Sequence, residues 1–393
     1  MKGIDKMADY KKIVLTGGPC AGKTTAEAIV KEELTKLGYK VFFLSETATD
    51  LLKSGISPET VGLYEFQKAI ADLQLKKEAA FDTIIKALPD EDKPILICDR
   101  GVNDNKAFCA NNEMFEKILY DLNVNAAKIR DSYDAVFHLV TAAKGAEQYY
   151  GNATNPNRRE NLEEARIADT KLINAWTGHS HLRVIDNEGK DIHQKFSKLI
   201  SDITHFLGEP NPFEIERKFI IKKPDLTYLE NLPNCHKVKI AQTYLESNNP
   251  NIERRVRQKN DNGAITYYYT EKSRISDIKR IEHEKRITSE EYSNLLLEQD
   301  YYTRTVVKDR YCLMENNQYF EIDVYPYWND QCILEIELEN ENQDIIFPDF
   351  LHIMQEVTND LRYTNHNFAI MNSKEFSVLQ IEDDELNDID IDL

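Results

Sequence analysis

Glu214-Ile215-Glu216-Arg217-Lys218-Phe219-Ile220 interleaves acids and bases with apolar side chains. A strand sends successive side chains to opposite faces. Glu214, Glu216 and Lys218 therefore share one face, while Ile215, Phe219 and Ile221 line the other. The same grammar returns at Arg255/Arg257, Thr270/Lys272, Glu282/Glu284/Arg286, Glu321/Asp323 and Glu335/Glu337. A solvent-facing sheet with cross-strand ion pairs explains any one of these segments. Their succession points instead to a single inward surface carrying acids and bases together. Cations gathered there repel one another unless anions compensate them. Linked phosphates would do so, and the planar fork of arginine fits their oxygens. Glu214, Glu216, Asp323, Glu335 and Glu337 add the hard oxygens that Mg²⁺ or Mn²⁺ prefers. Ile215, Phe219, Val256, Ile322, Ile336 and Leu338 fall on the opposite faces, which predicts a barrel that is polar inside.

Working outward, strands such as Ile265 to Lys272, Tyr319 to Tyr325 and Ile333 to Glu339 are expected around this segment, with a hairpin turn at Asp261-Asn262-Gly263. Gly208-Glu209-Pro210-Asn211-Pro212 reads as a linker. Before it, Lys12 to Thr16, Lys40 to Leu44, Pro94 to Cys98, Ala135 to Val140 and Leu182 to Ile185 read as strands alternating with helices, the pattern of a parallel sheet. The expected organisation is an α/β domain over residues 1–207, a linker at 208–212, an α+β antiparallel domain over 213–374 and an acidic, disordered tail at 375–393.

The chain has 393 residues, 41% of them hydrophobic and 30% charged, the composition of a folded globular protein with two or three domains. Its net charge of −19 argues against sequence-independent binding of nucleic acid. The six cysteines show no paired metal-ligand spacing, which suits reduced thiols in the cytoplasm. Neither a signal core nor a membrane-spanning run is expected, so any membrane contact would be peripheral.

Gly17-Gly18-Pro19-Cys20-Ala21-Gly22-Lys23-Thr24 fills every position of the Walker A pattern, between a strand and a helix. Glycines let backbone N–H groups approach phosphate oxygens closely. The nucleotide-binding stretch is taken to run through Thr25, with Lys23 on the β- and γ-phosphates and Thr24 on Mg²⁺. Asp99, at the end of an apolar strand, is placed to hold the Mg²⁺ shell or to accept a proton from an acceptor hydroxyl, and Glu46 ends the preceding strand at the same edge. Arg158 and Arg159 precede a helix, Leu162 to Ala175, that also carries Arg166; these arginines are candidates to close over the phosphates, or they belong to a solvated helix. Asn187 follows the fifth strand, where a purine can be read.

The Walker A stretch, Asp99-Arg100-Gly101 and the Arg158/Arg159 segment resemble the AAA-type ATPase domain related to nicotinamide riboside kinases and other small P-loop kinases. No sensor or arginine-finger pattern of a ring-forming motor accompanies them. From residue 213 onward, Glu214-x-Glu216-x-Lys218, Arg255-x-Arg257, Lys272, Glu282-x-Glu284-x-Arg286, Lys308-x-Arg310, Glu321-x-Asp323, Glu335-x-Glu337 and the closing Val357-Thr358-Asn359-Asp360-Leu361-Arg362-Tyr363 resemble the CYTH, or triphosphate tunnel, family. That resemblance implies a β-barrel tunnel in which Arg255, Arg257, Lys272, Arg286, Lys308 and Arg310 bind phosphate. It also implies metal ions on Glu214, Glu216, Asp323, Glu335 and Glu337, with Lys218 assisting catalysis. The order of the two domains resembles the TRPL translocation defect protein family. That likeness implies guanine-nucleotide and phosphoinositide binding and, as the alternative to an NTPase or phosphotransferase with a polyphosphate-cleaving tunnel, a GTP- or ATP-regulated phosphoinositide-binding adaptor in membrane trafficking. ATP versus GTP, the acceptor, the tunnel ligand and the oligomeric state stay open at the level of sequence.

Overall fold

The computed structural model describes residues 10–89, 92–150, 161–187, 192–209, 215–249, 251–274, 280–338 and 343–370; for residues 273, 274 and 280–283 it describes the backbone alone. The chain divides into two compact units, Met1–Glu209 and Pro210–Leu393. The division falls within the expected linker, part of which, like the expected acidic tail, lies outside the described residues.

The N-terminal unit is built on β1 (Lys11–Gly17), β2 (Tyr39–Leu44), β3 (Lys93–Asp99), β4 (Ala135–Leu139) and β5 (Leu182–Ile185). They form a parallel sheet in the order β2-β3-β1-β4-β5. Nine helices accompany them among the described residues: α1 (Lys23–Lys36), α2 (Thr47–Lys53), α3 (Pro58–Val61), α4 (Leu63–Lys86), α5 (Asn105–Phe108), α6 (Asn112–Asp121), α7 (Ala126–Arg130), α8 (Leu162–Trp176) and α9 (Ile192–Phe206). Ala26, Val30 and Leu34, four residues apart on α1, are buried against Ile13, Leu15, Ile97 and Phe137 of the sheet and Phe196, Leu199 and Ile203 of α9. Burying one such Val or Leu side chain contributes roughly 1.5–3 kcal/mol. Parallel strands bring all their carboxyl ends to one edge, so the residues after Gly17, Leu44, Asp99, Leu139 and Ile185 share a rim.

The C-terminal unit holds β6 (Ile215–Lys222), β7 (Cys235–Leu245), β8 (Ile252–Asp261), β9 (Ala264–Arg274), β10 (Arg280–Ile287), β11 (Val306–Glu315), β12 (Gln318–Val324), β13 (Gln331–Leu338) and β14 (Ile353–Glu356), with the short helices α10 (Leu226–Asn231), α11 (Ser289–Leu295) and α12 (Asn365–Ile370). The nine strands form one antiparallel sheet, ordered β10-β9-β8-β7-β11-β12-β13-β6-β14. The β8–β9 hairpin turns at Asn262 and Gly263, with φ of 49° and 89°, the primed geometry that suits strand twist. Phe219, Ile221, Ile322, Leu334, Ile336 and Leu338 pack on one face with Leu229 of α10, and Val256 packs with Tyr292 of α11. A third cluster gathers Trp328, Tyr325, Tyr363 and Phe368.

No described helix is long and apolar enough to cross a membrane.

Candidate functional site

At the N-terminal rim, β1 runs into the Walker A loop and α1 leaves it. Gly22 precedes α1 with φ 89°, no side chain caps the helix, and its first turn holds no acid. The N–H groups and positive dipole end of α1 thus face the loop with no capping side chain among the described residues. Gly18 is required by a close approach: a Cβ there would stand 2.6 Å from Asp169 Oδ1. Lys23 Nζ lies 3.7 Å from Asp99 Oδ1, so the structure brings the Walker lysine and the strand-end acid together. Thr24 and Thr25 are exposed beside them.

Arg100 adopts the left-handed region, φ 69°, and sends its Nε to Glu46 Oε1 at 2.7 Å. Burial would raise the Glu46 carboxyl, yet Arg100 and Lys23 hold it down at about 2. Glu27, one turn beyond Lys23 on α1, stands beside Asp99; burial and that carboxylate push its own carboxyl up to about 8. The loop after Asp99 is clamped by Asp104, which accepts Thr16 Oγ1 at 2.6 Å, Gly101 N at 2.7 Å and the Trp176 indole N–H at 3.1 Å. Glu27, Asp104 and Asp169 escaped the sequence reading. Only Glu27 had a signal there, its i,i+4 spacing from Lys23.

Two expectations change. Asn187 was placed to read a purine, but its amide donates to the carbonyls of Thr141 and Lys144 at 2.8 and 2.7 Å, and its Oδ1 accepts Lys195 Nζ at 2.9 Å. The side chain staples two loops. Arg166 was a candidate to close over phosphates; it donates to Ala143 O at 2.7 Å and pairs with Glu147 at 3.1 Å. Arg158 and Arg159 lie outside the described residues.

In the C-terminal unit the register sets the charged residues on one face. Glu337 stands opposite Glu216, Glu335 opposite both Lys218 and Glu321, Asp323 opposite Arg310, Arg255 opposite Thr270, and Thr270 opposite Glu284. Residues directly opposite in a ladder share a face. That face is sequestered at its centre: Lys308 is 3% exposed, Arg310 8%, Arg255 9%, Glu335 7% and Asp323 0%. A flat solvent face would leave such side chains in water.

Arg310 is the hub. It takes Asp323 in a fork, Nε and Nη2 each at 2.7 Å, Glu335 at 2.8 Å, and Glu321. Lys308 bonds Asp323, and Lys218 reaches Glu335 at 2.8 Å and Glu216 at 3.5 Å. Burial and Arg310 push the Lys308 ammonium down, against Asp323 and Glu335. Burial alone would lower Lys218, but Glu335 and Glu216 hold its proton more firmly than usual. The Glu335 carboxyl is held well below its ordinary range, burial being outweighed by Lys218, Lys308 and Arg310. Farther along, Arg257 pairs with Glu284, which also accepts Thr270 Oγ1 at 2.9 Å. Lys272 is half-buried, whereas Arg286 and Glu337 are exposed at the margins. Glu214 and the Glu282 side chain lie outside the described part. The Val357–Tyr363 stretch docks beside Lys218, whose N–H donates to Thr358 Oγ1 at 3.1 Å.

The N-terminal rim and the charged face of the C-terminal unit both offer oxygens of the kind a divalent cation prefers. Asp99 Oδ1 is buried without a hydrogen-bond partner, and Glu216 and Glu337 oppose each other as like charges. Among the described residues no group of three or more His, Cys, Asp or Glu is already gathered as a metal cage.

The AAA domain family matches residues 12–195. The solved structure of the inorganic triphosphatase NE1496 is 30% identical, covers 40% of this chain and 95% of its own, with a TM-score of 0.29. A second structure of NE1496, described as a hypothetical protein, gives 31%, 40%, 98% and 0.29. PH1819 from Pyrococcus horikoshii OT3 is 19% identical over 33% of this chain and 81% of its own, with a TM-score of 0.26. No curated protein matches. The chain thus carries an AAA-type P-loop domain in its N-terminal region, and a solved inorganic triphosphatase is among its structural neighbours.

Proposed function

We propose that the N-terminal unit binds a nucleoside triphosphate, ATP or GTP, and hydrolyses or transfers its γ-phosphate, and that the C-terminal unit binds and hydrolyses a tripolyphosphate group. The observation that carries the second half is the sequestered charged face: Lys308, Arg310 and Arg255 are buried cations on one face of the sheet, suited to a polyanion. The name of NE1496 supports hydrolysis over mere binding. For the first half the support is the uncapped α1 with Lys23 beside Asp99.

Mg²⁺ or Mn²⁺ would be held by Thr24 and Asp99 in the first unit and, following the CYTH resemblance, by Glu216, Glu335, Glu337, Asp323 and Glu214 in the second. There Asp323 and Glu335 pair with Arg310, Glu214 lies outside the described residues, and the ion would have to draw the acids together. Such an ion would polarise a phosphoryl oxygen or lower the pKa of a bound water. Around it, Arg255, Arg257, Lys272, Arg286, Lys308 and Arg310 orient phosphate oxygens, while Lys218, kept charged by Glu335 and Glu216, steadies the developing negative charge.

Phosphate release from tripolyphosphate, ATP and GTP with Mg²⁺ or Mn²⁺, in the wild type, Lys23→Ala and Arg257→Ala, tests both halves. Tripolyphosphate cleavage is expected to fall in Arg257→Ala alone, and nucleotide turnover in Lys23→Ala. Background release from every substrate would refute the reading.

The domain order also resembles the TRPL family, and the same cations would suit a phosphoinositide headgroup. Liposome flotation with and without phosphoinositides, in each nucleotide state, separates that adaptor reading from the hydrolase.

A further inference from the structure

We propose that Asp169 is a positioning residue of the nucleotide site, holding the phosphate loop in its binding conformation from helix α8. The proposal rests on the reading of residues 17–24 as that site. Asp169 is 0% exposed, and its Oδ1 accepts three donors: Gly18 N in the phosphate loop at 3.2 Å, Thr141 N at 2.9 Å and His138 Nε2 at 3.0 Å. Its Oδ2 meets Lys144 Nζ at 3.0 Å. Burial would raise this carboxyl, but His138 and Lys144 outweigh it and hold it at about 2.

The loop after β4 is itself fastened to the phosphate loop. Thr141 Oγ1 donates to Pro19 O, and Ala142 N donates to Cys20 O at 3.4 Å. From α8, Arg166 takes Ala143 O and Thr170 Oγ1 takes Lys144 Nζ at 3.0 Å, so residues 166, 169 and 170, one helical face, grip this loop along its length. Asp169 is the member of that face that bonds the phosphate loop and the β4 loop at once. Gly18 N is spent on the carboxylate and the rest of the loop is braced from outside. Its remaining N–H groups are therefore set before any phosphate arrives, and preorganisation of this kind raises affinity by removing an ordering cost on binding.

The test measures affinities of the full-length protein for ATP, ADP and AMP, each with Mg²⁺, and for GTP, in the wild type, Asp169→Ala, Asp169→Asn, Gly18→Ala and Lys23→Ala, alongside melting temperatures. Asp169→Ala is expected to lose about tenfold in ATP and ADP affinity, the effect of one charge-assisted hydrogen bond, and little for AMP. Asp169→Asn keeps an acceptor at Oδ1 and is expected to recover most of the loss. Gly18→Ala attacks the same bond from the other side, since its Cβ would displace the carboxylate, and it carries the test should Asp169→Ala fail to fold. Losses equal for ATP and AMP, or none in Gly18→Ala, overturn the proposal. Undiminished ATP and GTP binding in Lys23→Ala would show that the nucleotide reading itself is wrong, and Asp169 would fall with it.

Discussion

Asp323→Asn is the most informative single change in the C-terminal unit. The substitution keeps size and shape, yet removes the one charge that both Lys308 and the fork of Arg310 use. Breaking a buried ion pair from one side costs about 3–5 kcal/mol, because the partner charge is left without compensation. Arg310 retains Glu335 and Glu321, which places the expected loss at the lower end, about 3 kcal/mol. For a unit of this size one kcal/mol shifts the melting temperature by ~2–4 °C, so the variant should melt ~6–12 °C lower. Tripolyphosphate should then repay part of the deficit, since its oxygens offer the stranded cations new partners. Differential scanning calorimetry of wild type and variant, each with and without tripolyphosphate, measures both effects. A shift under ~2 °C, or a ligand-induced gain no greater in the variant than in the wild type, would refute the claim that Asp323 neutralises a polyanion-binding face.

Lys23→Ala should weaken ATP or GTP binding by roughly 10–100-fold, the worth of a charge-assisted contact, and leave tripolyphosphate cleavage unchanged; titration calorimetry and phosphate release check the two arms. The Glu46 carboxyl, held at about 2 when folded, contributes stability that is complete above its ordinary range near 4.5 and is lost as the pH falls toward 2. Glu46→Gln should therefore flatten the acid limb, and the gap between wild type and variant should close between pH 5 and 2 in denaturant titrations. Asn187→Ala should cost ~1–3 kcal/mol in urea unfolding, since two carbonyls and Lys195 each lose one hydrogen bond, without altering the ratio of ATP to GTP affinity.

Much of this was legible in the sequence because it is written in short-range patterns. Walker A spacing fixed the phosphate loop, and period-two alternation placed Glu216, Lys218, Asp323 and Glu335 on one face before any pairing was known. The five parallel strands were readable as apolar runs. What stayed hidden depends on partners far apart in the chain. Asp169 and Gly18 are 151 positions apart, and Asp104 meets Thr16 and Trp176 across 88 and 72. In sequence each is one polar residue in an ordinary segment. Asn187 failed differently: its position after β5 was read correctly, but a side-chain amide has few donors and acceptors, and three neighbours occupy them. Alternation likewise cannot say how deep a residue sits along its strand, which is why Arg286 and Glu337 share the face yet stand exposed.

The protein holds two tryptophans, and each unit keeps one in its interior: Trp176 against Asp104 and, edge-on, Tyr133; Trp328 among Tyr325, Tyr363 and Phe368. Indole emission therefore supplies a label-free optical channel for either half. A Trp328→Phe chain would glow only from the end of α8, against the loop that follows Asp99, and a Trp176→Phe chain only from the aromatic cluster of Tyr325, Tyr363 and Phe368. Quenching recorded in the two backgrounds would reveal which ligand is felt by which half, and in what order, within a single stopped-flow experiment.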